Sequence, residues 1–487
     1  MATDWIGLLP ILILAGGGTL IFLVGAFWRG RPESFLFALA LLTALAAGAV
    51  ALFLPSPNPT FEGMLDLGGY ARFFTLLLMF ITTVTLLFVR QYALAHGFSG
   101  DELYALLIFS VLGMVLVAIG INWVIFFLGL ELLSLSLYVL IAIKKGEPYG
   151  NEAALKYFIM GAVASAFLTF GLGLLYAMTG TLQIAESLAA AQTFPDHLSV
   201  IILALALVLT GIGFKVSLVP FHLWTPDVYQ GSPAPITAFL STGSKVALFA
   251  ALLRFCLLVA PPVWDYAWPM LWTLALLTMA VGNLTALYQT KVKRLLAYSS
   301  IAQMGYLFMT LLAVRDGGAP AVMFYLAVYA IMDLGAFGII GTFSEGDPDL
   351  EELTDYQGLG YTHPWRAAIL ATCLISLAGL PPTAGFMGKL VLFRAVLQAH
   401  FTILAVLGML TVVVSIYYYI NFMIHLYMHE RRACDPVAPA CALIPPADLA
   451  IGLACAVILV GILWLGVIPD SLLQVISTIT AALPKPV

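Results

Sequence analysis

The chain has 487 residues, of which 62% are hydrophobic and only 9% charged, with a formal net charge of −5. A soluble domain carries roughly a quarter charged residues, so the solvent of this chain is mostly lipid. No basic run points to nucleic acid. The five cysteines (Cys256, Cys373, Cys434, Cys441 and Cys455) form no CxxC or CxxCH pattern for an iron–sulfur cluster, zinc or attached haem. Cys434 and Cys441 share a loop, and two thiols alone are weak grounds for a disulfide.

A membrane span needs about 20 predominantly apolar residues. Such segments fall at 5–28, 34–54, 71–92, 103–120, 122–143, 152–179, 199–223, 233–258, 266–288, 295–314, 319–343, 364–395, 398–427 and 447–469, about 14 in all. The first, within Met1 to Trp28, has no cationic stretch before it, and Arg29 and Arg31 follow it. It reads as a retained span, not a cleaved signal. The tail after Asp470 reads as amphipathic and surface-lying. The expectation is an all-α integral membrane protein, one transmembrane bundle over 1–487 with no soluble domain.

Lys and Arg placement sets orientation. Odd-numbered loops hold eleven: Arg29, Arg31, Arg90, Lys144, Lys145, Lys291, Lys293, Arg294, Arg366, Arg431 and Arg432. The even side holds five: Arg72, Arg254, Arg315, Arg394 and Lys485. Both termini are therefore expected outside.

The other four lysines fall inside spans, together with a glutamate. Glu131 sits in FFLGLELLSLSLYVL, Lys156 in ALKYFIMGA, Lys215 in GIGFKVSLVPFHLW, Lys245 in FLSTGSKVALFA and Lys389 in GFMGKLVLF. An ionisable group at mid-membrane costs at least about 2.5–3.5 kcal/mol, and it persists where it faces a bundle interior or a hydrated cavity. A buried Glu–Lys pair makes a charge that moving the partner can switch. Lys suits this because it can release its proton, whereas Arg in practice cannot. The plain reading is snorkelling or static ion pairing, and Lys156, near a span end, is closest to that case.

Two predicted spans are broken beside these lysines. Pro220 follows Lys215 by five residues, and Pro381 and Pro382 precede Lys389 by eight and seven. Proline removes a backbone donor, and in lipid the freed carbonyls need other partners. Broken helices beside ionisable residues mark transporters, although a lone Pro kink is common. Glu131 to Lys215 spans 84 positions and Gln303 to Lys389 spans 86, a faint internal repeat. Its second half carries neutral Gln303 where the first has Glu131, and Asp333 is a candidate carboxylate there.

His222, just past Pro220, reads either as a proton relay or as a hydrogen-bonded structural histidine. His425, His429 and Glu430 form H-x3-H-E, too few ligands for a metal, and read as an interfacial helix end. Asp227 reads as a brace for the loop after the break. The acidic stretch Ser344 to Gly360 reads as solvated, with docking as an option. Tyr417 to Tyr419 read as interfacial belt residues.

PFHLWTPDVYQGSPAPITAFLSTGSK (Pro220 to Lys245), AYSSIAQMGY (Ala297 to Tyr306) and LAGLPPTAGFMGK (Leu377 to Lys389) carry a resemblance over nearly the whole chain. The chain resembles the antiporter-like (Mrp-type) membrane subunits of bacterial NADH–quinone oxidoreductase, or complex I. YQGSPAP and the lack of a long lateral helix make it more similar to subunit N than to L or M. The resemblance implies two inverted five-helix repeats, each with a broken helix, within halves at 103–258 and 266–427. Flanking helices then lie at 5–92 and 447–469. It implies a hydrated polar axis on which Glu131 matches the coupling glutamate, Lys215 its partner, Lys245 the connecting lysine, Lys389 the terminal lysine and Lys156 a further lysine. Asp333 has no secure counterpart.

The function so implied is coupling of quinone reduction on other subunits to proton transfer along this axis, with His222 and Lys156 secondary. No cofactor is expected on this chain; flavin, iron–sulfur clusters and quinone belong to partner subunits. Subunits M and K, lipids and protons are the expected partners, and the location a bacterial inner membrane. No phosphate-binding GxxxxGK[ST] loop is present, so no catalytic activity is expected alone. The rival readings are a subunit of a cation/proton antiporter complex and a structural membrane module.

Overall fold

In lipid a chain must bond its own backbone, which leaves helices or closed barrels. This chain takes the first course. The computed structural model describes residues 4–28, 33–54, 60–98, 100–193, 195–343, 350–429 and 449–483. Arg29, Arg31, Arg431, Arg432, Lys485, Cys434, Cys441, Glu430 and residues 344–349 of the acidic stretch lie outside them.

The helices begin with α1 (Asp4–Phe27), α2 (Glu33–Phe53), α3 (Gly69–Ala95), α4 (Asp101–Ile119), α5 (Trp123–Ile141), α6 (Pro148–Thr179) and α7 (Ile184–Thr193). Then come α8 (Leu198–Lys215), α9 (Trp224–Gly231), α10 (Ala234–Phe239), a π-turn (Leu240–Ser244), α11 (Lys245–Leu258), α12 (Pro261–Ala286), α13 (Val292–Leu311) and α14 (Ala319–Phe343). The chain continues through α15 (Leu359–Thr362), α16 (Pro364–Ala378), α17 (Ala384–Gln398), α18 (Thr402–Tyr427), α19 (Leu449–Val467) and α20 (Asp470–Ala481).

Among the described residues, twelve helices are long and apolar enough to cross a membrane. Two further expected spans fall short of that measure for visible reasons. Lys293 and Arg294 open α13, and the span expected at 364–395 is divided between α16 and α17. Sequence reading missed a two-stranded antiparallel hairpin, β1 (Thr60–Phe61) with β2 (Leu65–Asp66), paired Thr60 to Asp66 and Phe61 to Leu65. Arg254 at the far end of α11 holds this hairpin through a 2.6 Å ion pair with Asp66. The amphipathic tail helix α20 packs against α14 and α3.

Burial sorts the helices into a core and a rim. The continuous stretch from α10 through α11, and α14, are buried along their length. In α1, α2, α6, α18 and α19 much of the surface is exposed and apolar, with Phe22, Leu42, Phe170, Val413 and Val460 facing outward. That is the face hydrocarbon requires. Without a strong hydrophobic drive between helices in lipid, close approach comes from small residues. A Cβ on Gly113 of α4 would meet the Leu133 nitrogen at 2.5 Å and the Gly129 carbonyl oxygen at 2.6 Å. The backbones of α4 and α5 therefore touch where α5 carries Glu131.

Both expected breaks are present. α8 stops at Lys215, the chain passes through Ser217 at φ +66°, and helix resumes at Trp224. The Trp224 indole N–H donates to the carbonyl of Phe214 at 2.8 Å, supplying a partner for a carbonyl near the helix end. α16 ends at Gly379, whose φ of +82° suits glycine, and helix resumes at Ala384. Each break contains a cis X–Pro bond, Val219–Pro220 and Pro381–Pro382.

Candidate functional site

Three lysines lie inside the core, each at a different junction. Lys215, at the end of α8, is 2% exposed, Lys245 at the end of the π-turn 0%, and Lys389 on α17 5%. No ion pair within 4 Å joins any of them to a carboxylate among the described residues. Their partners are hydroxyls, carbonyls and ring faces.

Lys215 Nζ donates to Ser134 Oγ at 2.7 Å and to Tyr138 Oη at 3.3 Å, both on α5. It also lies 5.2 Å from the ring centre of Tyr157, 5.3 Å from Tyr138 and 5.7 Å from Phe214. Cations within about 6 Å of ring centres are attracted by the ring quadrupole. Glu131 is one turn from Ser134 on the same helix and accepts a 2.6 Å hydrogen bond from Ser165 of α6. The expected direct Glu131–Lys215 pair is thus replaced by a hydroxyl beside each charge. Helical spacing puts residues i, i+3 and i+7 on one face, so Glu131, Ser134 and Tyr138 line the same side.

Lys245 donates to Ser300 of α13 at 2.5 Å and lies 5.5 Å from the Tyr229 ring centre. Ser300 shares a 2.7 Å hydrogen bond with Tyr329 of α14, and Tyr329 reaches Asp333 Oδ2 at 3.1 Å. Ser241, in the π-turn, donates to the same Asp333 oxygen at 2.5 Å. Between Lys215 and Lys245 runs a line of rings: Tyr157 to Trp224 at 4.5 Å, then Trp224 to Tyr229 at 6.2 Å.

Lys389 closes the second break. Its ammonium donates to the carbonyls of Leu377 at 2.8 Å and Ala378 at 3.1 Å, the last residues of α16. Those are the carbonyls a helix end leaves unpaired, and a cation there also meets the negative end of the helix dipole. Gln303 donates to the same Leu377 carbonyl at 3.3 Å and accepts from Tyr325. The Tyr306 ring centre is 5.6 Å from Lys389 Nζ. An open, mostly apolar groove of about 640 Å³ runs past Gly379 and Lys389, with Phe393, Leu397 and Met409 among its walls and Arg394 in its lining.

Lys156 lies apart from the core. Its side chain is 44% exposed and pairs with Glu152 at 2.7 Å and Asp227 at 3.1 Å. Asp227 also pairs with Arg294 at 2.6 Å, which makes it a brace joining α6, α9 and α13. Burial pushes its carboxyl up, but hydrogen bonds from Arg294 and Lys156 outweigh that and hold it below the ordinary carboxylate range. His222 is buried, with its ring against the backbone of Pro220. Among the described residues, the Lys215 ammonium bonds to Ser134 and Tyr138 and not to His222. His425 Nδ1 is bonded to the carbonyl of Asn421 at 2.8 Å, and its ring is 4.9 Å from His429.

Sequence reading missed Ser134, Tyr138, Tyr157, Ser300, Tyr306 and Tyr329. For Ser134 and Tyr138 a signal existed, their helical spacing from Glu131. The others meet their lysines only through tertiary packing.

A model of the NADH:quinone oxidoreductase/Mrp antiporter transmembrane family matches residues 120–415, which include both breaks and all three core lysines. NADH-quinone oxidoreductase subunit N 1 of Solidesulfovibrio magneticus is 48% identical over 96% of this chain and 97% of its own length. A chain of respiratory complex I from Thermus thermophilus superimposes with a TM-score of 0.81 at 35% identity, covering 96% of this chain and 98% of that one. A chain of the Mrp complex from Dietzia sp. superimposes at 0.85 with 22% identity, covering 100% and 98%, which is likeness of fold. This chain belongs to the NADH:quinone oxidoreductase/Mrp antiporter family and, within it, to the subunit N group of NADH-quinone oxidoreductases.

Proposed function

We propose that this chain is a proton-translocating membrane-arm subunit of a respiratory NADH–quinone oxidoreductase, with Glu131, Lys215, Lys245 and Lys389 as its proton stations. One observation carries the reading: three core lysines, at most 5% exposed, have only neutral hydrogen-bond partners among the described residues. An uncompensated buried charge costs several kcal/mol, so a purely structural role would favour direct pairing with carboxylates. Hydroxyls, carbonyls and ring faces instead leave each lysine without a fixed counter-charge, so its protonation can change. A small displacement of Glu131 then suffices to alter the charge on Lys215.

In this reading, redox chemistry takes place on partner subunits, and its signal moves Glu131 relative to Lys215. The proton passes by way of Lys245 to Lys389, with water filling the gaps, and leaves on the periplasmic side. The halves at 103–258 and 266–427 act as inverted repeats, flanked by helices at 5–92 and 447–469. Subunits M and K are neighbours, the membrane is the bacterial inner membrane, and both termini are periplasmic. Lys156 and His222 are secondary, since Lys156 sits in the surface brace. Moving one charge against 100 mV costs about 2.3 kcal/mol, so the chain works only within the complex. Identity to subunit N along nearly the full length favours this reading over a cation antiporter, for which the shared family and the likeness of fold speak.

The test is proton pumping per electron in membrane vesicles, wild type against Lys215→Ala, with assembly checked on a native gel. Joint loss of coupled quinone reductase activity and pumping in an assembled complex is expected. Persistence of both overturns the proposal.

A further inference from the structure

We infer that Asp333 is a further proton-holding group of the relay, wired to Lys245 through the hydroxyls of Ser300 and Tyr329. The inference rests on the proton-translocating reading above and adds to it an acid and a path.

Asp333 is 0% exposed in the middle of α14, a helix buried along its whole length. An acid at such a position is expensive and marks function more often than structure. Two helices converge on it by simple geometry. On α14, Tyr329 and Asp333 are four residues apart and share one face. On the facing segment, Ser241 within the π-turn Leu240–Ser244 and Lys245, the first residue after it, are also four apart. Single π-turns within helices are frequent at functional sites. The contacts form one unbroken path. Lys245 Nζ to Ser300 Oγ is 2.5 Å, Ser300 Oγ to Tyr329 Oη 2.7 Å, and Tyr329 Oη to Asp333 Oδ2 3.1 Å.

Two features separate this arrangement from a static ion pair. A counter-ion serving stability alone would touch the ammonium, whereas here two hydroxyls lie between. Second, Asp333 Oδ1 is fully buried and has no hydrogen-bond partner among the described residues. A buried polar atom left unsatisfied is rare and calls for a water or a part in the chemistry as its explanation, and a carboxyl that takes up and gives back a proton at Oδ2 has such a part. The first half of the chain likewise sets a hydroxyl, Ser134, against its lysine, one helical turn from Glu131, although Ser134 donates to the carbonyl of Leu130 and not to Glu131.

The step balances as a shift along hydroxyls. Lys245 Nζ gives one proton to Ser300 Oγ, Ser300 gives its own to Tyr329 Oη, and Tyr329 gives its own to Asp333 Oδ2. Ammonium and carboxylate become amine and carboxylic acid, and each hydroxyl ends with one proton. The reverse shift restores the charges once the hydroxyls have turned.

The test compares wild type with Asp333→Asn, Asp333→Glu, Tyr329→Phe and Lys245→Ala in the whole complex, in inner-membrane vesicles. Proton pumping per electron is read together with assembly on a native gel. Infrared difference spectra on quinone turnover report the C=O band of a protonated carboxylic acid. Asp333→Asn and Tyr329→Phe are expected to lower pumping at least threefold in an assembled complex, and Asp333→Glu to recover to within twofold of wild type. The carboxylic acid band should vanish in Asp333→Asn. Wild-type pumping in assembled Asp333→Asn overturns the inference. If that variant does not assemble, Tyr329→Phe decides, because it cuts the path and keeps the charge. Loss in Lys245→Ala with wild-type pumping in Asp333→Asn and Tyr329→Phe defeats only the role of Asp333. Wild-type pumping in Lys245→Ala as well defeats the proton-station reading itself.

Discussion

At the scale of single residues, each core lysine depends on one neighbour whose size or hydroxyl sets its position. Gly379 shows this most sharply. Its φ is +82°, and a Cβ there would come within 2.8 Å of Lys389 Cδ. Gly379→Ala therefore meets both a left-handed backbone penalty of about 1–2 kcal/mol and a collision with the terminal lysine. The expected outcome is an assembled complex with proton release slowed severalfold, measured as pumping per electron in vesicles. Unchanged pumping would mean that Lys389 does not need its seat on the carbonyls of Leu377 and Ala378. The lysines themselves were legible in the sequence because charges stand out in apolar runs. Their partners were not, since Ser and Tyr are ordinary in spans, and Ser300 meets Lys245 across 55 positions of chain. Asp333 stood out as a charge, yet its link to Lys245 passes through two hydroxyls on different helices, which no spacing rule reaches.

At the scale of elements, the site is set by helix ends and by close helix pairs. The breaks at Pro220 and at Pro381–Pro382 were readable because proline cannot sustain the backbone ladder. The π-turn before Lys245 and the hairpin at residues 60–66 were not, since neither carries a periodic pattern. Lys156 lay inside an apolar run as expected, but it is only two turns from the start of α6, so its side chain reaches the surface and pairs there. The α4–α5 contact leads to an element-scale prediction. A Cβ on Gly129 would meet Leu116 Cβ at 2.8 Å and the Gly113 carbonyl oxygen at 2.9 Å. Gly129→Leu must push α5 away from α4 and carry Glu131 with it. Overpacking of this kind typically costs about 1–3 kcal/mol. A lower thermal midpoint of the detergent-solubilised complex is expected, with reduced pumping. An unchanged midpoint would show that the helices do not touch here.

At the scale of the whole molecule, Asp227 ties α6 and α9 to α13, and so joins elements from both halves of the chain. Its carboxyl is held below the ordinary carboxylate range by Arg294 and Lys156. A group lowered on folding contributes stability at pH above that range and loses it as pH falls through the lowered value. Asp227→Asn should lower the thermal midpoint at neutral pH and flatten the drop seen on strong acidification. Equal acid sensitivity in both proteins would remove this brace from the account. Across the molecule the lysines sit in a buried core while the rim offers apolar faces to lipid, so a charge moved along the core is shielded from the bilayer. The most direct test of that design is Lys215→Arg in the assembled complex, read as protons pumped per electron transferred to quinone. Arg keeps the positive charge but does not release its proton. The account predicts a lower proton-to-electron ratio than wild type, and an unchanged ratio would contradict the claim that Lys215 carries a proton.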